Sequence, residues 1–213
     1  MASIHIEALN CDMAPQACRV LAQAFVTNPL NIAAFGPFQL ARNEAFFRVG
    51  LAAMKGTKLV VTDGSEILGL IHWVHSPACQ FSGLEKLRMG PAMVKGIGLG
   101  PALRVGSWQS TWSKHDPSRP HAHLGPLGVS PEVQGQHTGH RLMEHYCEAL
   151  DRTGDAGYLE TDRPENVNFI VDLVLRSPKR SWFLAFRTIS CGARRNPQQA
   201  CKCDSDGKVR CAI

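Results

Sequence analysis

Apolar and polar positions alternate along this chain in two periods, and the period changes often. Ile4, Ile6 and then Leu9 predict a first strand. From Ala14 to Val26 the apolar residues Val20, Leu21, Ala24 and Phe25 follow a helical period, with Asn10 or Asp12 as the expected cap. A second helix is predicted over about Ala41 to Lys55 through Phe46, Phe47 and Leu51. Thr57–Thr62 and Ile67–Val74 flank Asp63-Gly64-Ser65-Glu66, which predicts a hairpin. Residues 81–113 read as short helices broken by Gly90-Pro91 and Gly100-Pro101, and Lys114 to Pro120 as a loop into a strand around His121 to Val129.

The densest information lies between Leu127 and Phe169. Leu127-Gly128-Val129 is an apolar strand end closed by Ser130-Pro131. The loop Gln134-Gly135-Gln136-His137-Thr138-Gly139 follows, and then a helix whose Leu142, Tyr146, Ala149 and Leu150 fall at i, i+4, i+7 and i+8. Gly154 and Gly157 end that helix, and Tyr158-Leu159-Glu160-Thr161 predicts the next strand. A helix begins with unpaired N–H groups and the positive end of its dipole. A loop that brings glycines to that point makes a cradle for a pyrophosphate.

Composition narrows the class. At 213 residues, 44% hydrophobic and 19% charged, the chain has enough material for one domain with a sizeable core. No apolar run approaches the length of a membrane span, and MASIHIEALNCD has no basic segment followed by an apolar one, so a cytoplasmic location is expected. The net charge of +5 is uneven: from Arg176 onward nine Lys or Arg stand against Asp204 and Asp206, leaving about −2 for the body. A body of that charge, without interleaved aromatic and basic residues, argues against nucleic acid as a partner.

The order L-G-V-x-P, then Gln-x-x-Gly-like loop, helix and YLETDRPENVNF resembles motif A and the following strand and helix of the GNAT superfamily, the acetyl-CoA-dependent N-acyltransferases, in the branch that includes puromycin N-acetyltransferase. The resemblance extends over nearly all of residues 3–169 and implies a mixed-sheet α/β fold of GNAT acyl-CoA N-acyltransferase type. Its implied reaction is acetyl transfer from acetyl-CoA to a small-molecule amine. The implied cofactor contacts are the backbone of Leu127, Gly128 and Val129, the loop Gln134, Gly135, Gln136, His137, Thr138 and Gly139, then His140, and Asn166 from the later segment. His137 departs from the family pattern, which has glycine there. Glu160 is the carboxylate best placed to take the amine's proton, and His123 and His121 border the same site. The expected partner is that amine, with no nucleic acid and no membrane, and a homodimer is left open.

After Phe169 the resemblance stops. The family pattern continues with a tyrosine that supplies the thiolate's proton, a Gly-Phe pair and two closing strands; this chain has Ile170 and no such pair. Reading the DNA one base earlier allows YRRLGFAVTKEIVVLGVPNYFMWR, so either the frame shifts near Phe169 or the tail is a divergent ending. The expected organisation is an N-acetyltransferase domain over 1–169 lacking its last two strands, and an aberrant tail over 170–213, irregular from about Ser177. A catalytically impaired acyl-CoA-binding protein is the alternative function. No metal is expected: there is no HExxH, and Cys191, Cys201, Cys203 and Cys211 lack paired CxxC spacing. Trp108 and Trp112, four apart, read as a packed helix face.

Overall fold

The computed structural model describes residues 4–114, 116–163, 166, 169 and 170, with the backbone of 182–186, 200–203 and 209–211. The elements run β1 (His5–Ala8), α1 (Ala14–Phe25), α2 (Pro29–Phe35), α3 (Leu40–Ala53), β2 (Thr57–Thr62), β3 (Ile67–His75), α4 (Gly83–Ile97), α5 (Leu99–Ser113), β4 (His121–Val129), α6 (Thr138–Thr153) and β5 (Ala156–Thr161), then β6 (Trp182–Phe186), β7 (Ala200–Cys203) and β8 (Val209–Cys211). The strands lie side by side in chain order. Neighbours from β1 to β4 are antiparallel, β4 to β5 and β5 to β6 parallel, and the rest antiparallel. This is the mixed α/β sheet that the sequence predicts.

Alternation along β2 and β3 divides the core in two, because adjacent side chains of a strand point to opposite faces. Val60 and Leu70 meet α1, α3, α4 and α5 on one face, while Val61, Ile71 and Trp73 meet α6 on the other. The face of α6 that carries Leu142, Met143, Tyr146 and Leu150 is buried throughout. Truncating Leu142 to Ala would cost about 2–5 kcal/mol, as for other fully buried leucines. Tyr146 also donates a 2.6 Å hydrogen bond to the Ala122 carbonyl, which locks α6 against β4.

Several boundaries differ from the sequence reading. The start of α1 is not capped by a side chain; Asn10 Oδ1 instead accepts from Met13 N at 3.0 Å, and so fixes the turn before it. The short α2 escapes a periodicity search at seven residues, but Asn28 caps it by accepting from Leu30 N and Asn31 N. Pro91 sits inside α4, and the break falls at Gly98, whose φ of 89° ends one helix and starts the next. Beyond β5, three short segments of the described backbone pair onto the sheet. The edge of β5 presents unpaired backbone groups, and the apolar run Trp182–Phe186 pairs with it from Gly157↔Trp182 to Thr161↔Phe186. β7 and β8 then continue the sheet. The segments 171–181, 187–199, 204–208 and 212–213, which hold the remainder of the expected irregular tail, lie outside the described residues.

Candidate active site

β4 and β5 pair only over His121↔Ala156, Ala122↔Gly157 and His123↔Tyr158. Beyond His123 the strands part, so the edge of β4 from Leu124 to Val129 makes no pairing with β5, while its other edge stays paired to β3. A cleft of ≈ 360 Å³ opens at this split. Leu124–Leu127 and Leu159–Thr161 form its two strand walls, and Asn166, Phe169 and Ile170 lie at one end. A bulge aims the wall: Gly125 and Pro126 oppose the single residue His72, since Ile71 pairs with Leu127 and Trp73 with Leu124. A Cβ on Gly125 would come within 2.2 Å of His72 Nδ1, so only glycine fits beside that ring.

The loop after β4 reaches the start of α6. Gln134, Gly135, Gln136 and His137 are exposed there, Gly139 and His140 are half-buried, and Thr138 is buried. Gln134 Nε2 returns to the Val129 carbonyl at 3.1 Å. The first helical bond runs from Arg141 N to His137 O, and no side chain caps the helix, so the amides of Thr138, Gly139 and His140 lack intrahelical partners at the positive end of the helix dipole, an arrangement that can hold an anion. Gly135 at φ 77° has nothing within 4 Å of an added Cβ, and Gly139 meets only ordinary contacts, so neither glycine is held by packing. Gly128 differs: its missing side chain admits Leu21 of α1, 2.7 Å from where a Cβ would sit. His137 takes the left-handed conformation, φ 60° and ψ 9°, which a residue with a Cβ adopts at a cost of about 1 kcal/mol. The ring of His140 packs edge-on against Phe169 with centroids 4.7 Å apart. Asn166 donates to Thr161 Oγ1 at 3.2 Å, which fastens the segment to the end of β5.

The opposite end of the cleft is built of side chains. Phe25, Phe46, Phe47, Phe81, Trp108 and Trp112 line it. Trp108 stacks on Phe46 and meets Trp112 edge-on, so the expected packed face is also a wall. Glu160 projects from the other wall and accepts a 2.5 Å hydrogen bond from Tyr158 OH. Asp162 is buried and accepts from Asn28 Nδ2 at 2.9 Å and Leu30 N at 3.3 Å. His72 is buried and its Nε2 faces the Lys55 carbonyl, which can only accept, so the proton sits on Nε2. Burial holds this ring neutral and moves its pKa down to about 4. His121 is fully buried, with Nδ1 2.9 Å from the Arg119 carbonyl, and His123 borders the cleft.

The structure thus brings Glu160, His123, Leu127 and Asn166 to one cleft, with the α6 start as a separate exposed cradle at the end of the same strand. Sequence reading missed His72, Asn28 and Asp162. Asp162 alone had a local signal, as a carboxylate directly after a predicted strand end.

Residues 104–170 match the family model described as the acetyltransferase (GNAT) family. Solved structures extend the likeness of the fold to the rest of the chain. A histone acetyltransferase HPA2 and related acetyltransferase from Corynebacterium glutamicum is 20% identical with a TM-score of 0.62, covering 93% of this chain and 94% of that one. The polyamine N-acetyltransferase of Drosophila melanogaster is 16% identical with a TM-score of 0.56, covering 99% and 94%. Arylalkylamine N-acetyltransferase 2 from Aedes aegypti is 15% identical with a TM-score of 0.55, covering 80% and 82%. The likeness to these three structures is one of fold, over most of the chain. None of its described helices is long and apolar enough to cross a membrane.

Proposed function

We propose that this protein is a GNAT acyltransferase that moves the acetyl group of acetyl-CoA to a small amine with an apolar or aromatic body. The observation that carries this reading is the cleft between β4 and β5, lined by Glu160 and a cluster of aromatic side chains, with the α6 start beyond the end of β4. The free edge of β4 suits an extended, amide-bearing chain such as pantetheine, and the amides of Thr138, Gly139 and His140 suit its pyrophosphate. Leu127, Gly128 and Val129 would bind the first, with the loop Gln134–Gly139, His140 and Asn166 around the second. An ammonium group is attracted by aromatic faces and by carboxylates, and both line the acceptor end. The named amine substrates of the Drosophila and Aedes enzymes agree with that chemistry.

In the proposed reaction the amine nitrogen, deprotonated by Glu160, attacks the thioester carbon; the C–S bond breaks and the thiolate of CoA leaves. His123 also lines the cleft and is the second group offered as a proton acceptor. Ile170, buried at the cleft end, has no proton for the thiolate, so solvent must supply it. That residue is also what favours the alternative of an acyl-CoA-binding protein with impaired turnover. The test is calorimetry with acetyl-CoA, followed by thiol release over a panel of arylalkylamines and polyamines. Binding with turnover supports transfer, binding without it supports the alternative, and no binding sinks both. The puromycin N-acetyltransferase-like branch and the shifted frame belong to the same reading. They rest on LETDRPENVNF and on the missing tyrosine, while the strands β6–β8 weigh against the frame shift. The nucleotide sequence across Phe169 decides it.

A further inference from the structure

Four potential ligands converge beside the acceptor end of the cleft: Cys79 after β3, Asp116 before β4, and His121 and His123 on β4. One donor atom from each lies within 4.8 Å of the others. Cys79 Sγ is 3.5 Å from Asp116 Oδ2 and 3.8 Å from His121 Nε2, and His123 Nδ1 is 3.4 Å from Asp116 Oδ1. Tetrahedral zinc with bonds of about 2.3 Å to sulfur and about 2.0–2.2 Å to nitrogen or oxygen separates its ligand atoms by about 3.3–3.6 Å. We propose that Cys79, Asp116, His121 and His123 form a closed, structural Zn²⁺ site.

Three further observations support it. The Nδ1 of His121 faces the Arg119 carbonyl, which fixes the proton there and leaves the Nε2 lone pair directed at Cys79. The Nδ1 of His123 is buried and faces the Asp116 carboxylate, a potential ligand itself, at 3.4 Å. Gln80 Nε2 donates to Asp116 Oδ2 at 2.7 Å, orienting the carboxylate from behind. Charge also balances: on binding, Cys79 releases its proton to solvent, and thiolate, carboxylate and two neutral imidazoles cancel the ion's charge. Such a site ties the loops that bracket α4 and α5 to β4, so it fixes the wall carrying Trp108 and Trp112. It also occupies His123 and leaves Glu160 as the proton acceptor. The expectation of no metal rested on spacing motifs, whereas these ligands come from separate segments.

The test uses the full chain without a tag, stripped with chelator and titrated with Co²⁺ as a probe for Zn²⁺. One equivalent should bind, giving the visible bands of tetrahedral cobalt and a sulfur-to-cobalt charge-transfer band, both displaced by Zn²⁺. A variant with Cys191, Cys201, Cys203 and Cys211 all changed to Ser should keep these signals. Cys79→Ser should lose the charge-transfer band, and His121→Ala the stoichiometric binding. In the four-serine variant, Zn²⁺ at about a hundredfold over Kd should raise Tm by about 5–10 °C, an increase that Cys79→Ser lacks. No stoichiometric uptake, or a charge-transfer band that survives Cys79→Ser and vanishes with the tail serines, overturns the proposal.

Discussion

The two ends of the cleft are made in different ways. The proposed cofactor end is backbone: the free edge of β4, a loop of exposed residues and three helix-start amides, all within residues 124–140. The acceptor end is side chains from α1, α3, α5, β3 and β5, brought together by packing. Backbone donors tolerate changes of side chain so long as φ and ψ survive. An assembled wall depends on each residue that fills it. Substitutions at the cofactor end should therefore act through conformation and access, and those at the acceptor end through chemistry and burial.

The largest contrast is expected at Glu160. Glu160→Gln keeps the shape of the wall but removes the proton acceptor, so kcat should fall by roughly 10²–10⁴-fold while acetyl-CoA affinity measured by calorimetry stays within about twofold. Equal loss of both would erase the division between the ends.

Next comes a pH effect confined to the acceptor side. The pKa of His72 is lowered by burial to about 4 in the folded chain, against an ordinary 6.5. Between those values the unfolded chain binds the extra proton, so stability is complete above about pH 6.5 and is lost as pH falls towards 4. The limit is about 3 kcal/mol. Urea unfolding at pH 7 and pH 4.5 should show this loss in the wild type and a smaller one in His72→Gln. An unchanged pH dependence in the variant would mean that other groups carry it.

At the cofactor end, bulky residues at both Gly135 and Gly139 should weaken acetyl-CoA binding by at least about tenfold, or 1.4 kcal/mol. An added Cβ meets open space at Gly135 and ordinary contacts at Gly139, and the left-handed φ of 77° at Gly135 costs a side chain only about 1–2 kcal/mol, so the fold should survive somewhat destabilised. An unchanged affinity would remove the loop from the site.

The smallest effect is at His137. His137→Gly relieves the left-handed conformation, so stability should rise by up to about 1 kcal/mol, and cofactor affinity should hold or improve. A weaker complex would show that the imidazole itself touches the cofactor.

What the sequence determined by itself is local. The helical stripe of α6, the Asp63–Glu66 hairpin and the open helix start after Gln134 depend on residues close in the chain, and a short stretch of pattern suffices to specify them. Glu160 was singled out as the carboxylate of a predicted strand and Asn166 by resemblance to a family motif, and both line the cleft. The break at Gly98 was misplaced because a proline can remain inside a helix when its neighbours accommodate it, as at Pro91. The tertiary structure alone decided that Gly128 serves Leu21, that Gly125 makes room for His72, and that Asn28 reaches Asp162 across 134 residues. It also decided that Cys79 meets Asp116 and two histidines, and that an apolar run with no family pattern joins the edge of β5. Contacts of that kind arise from the sheet order and the close packing of both its faces. Neither leaves a periodic trace in the chain.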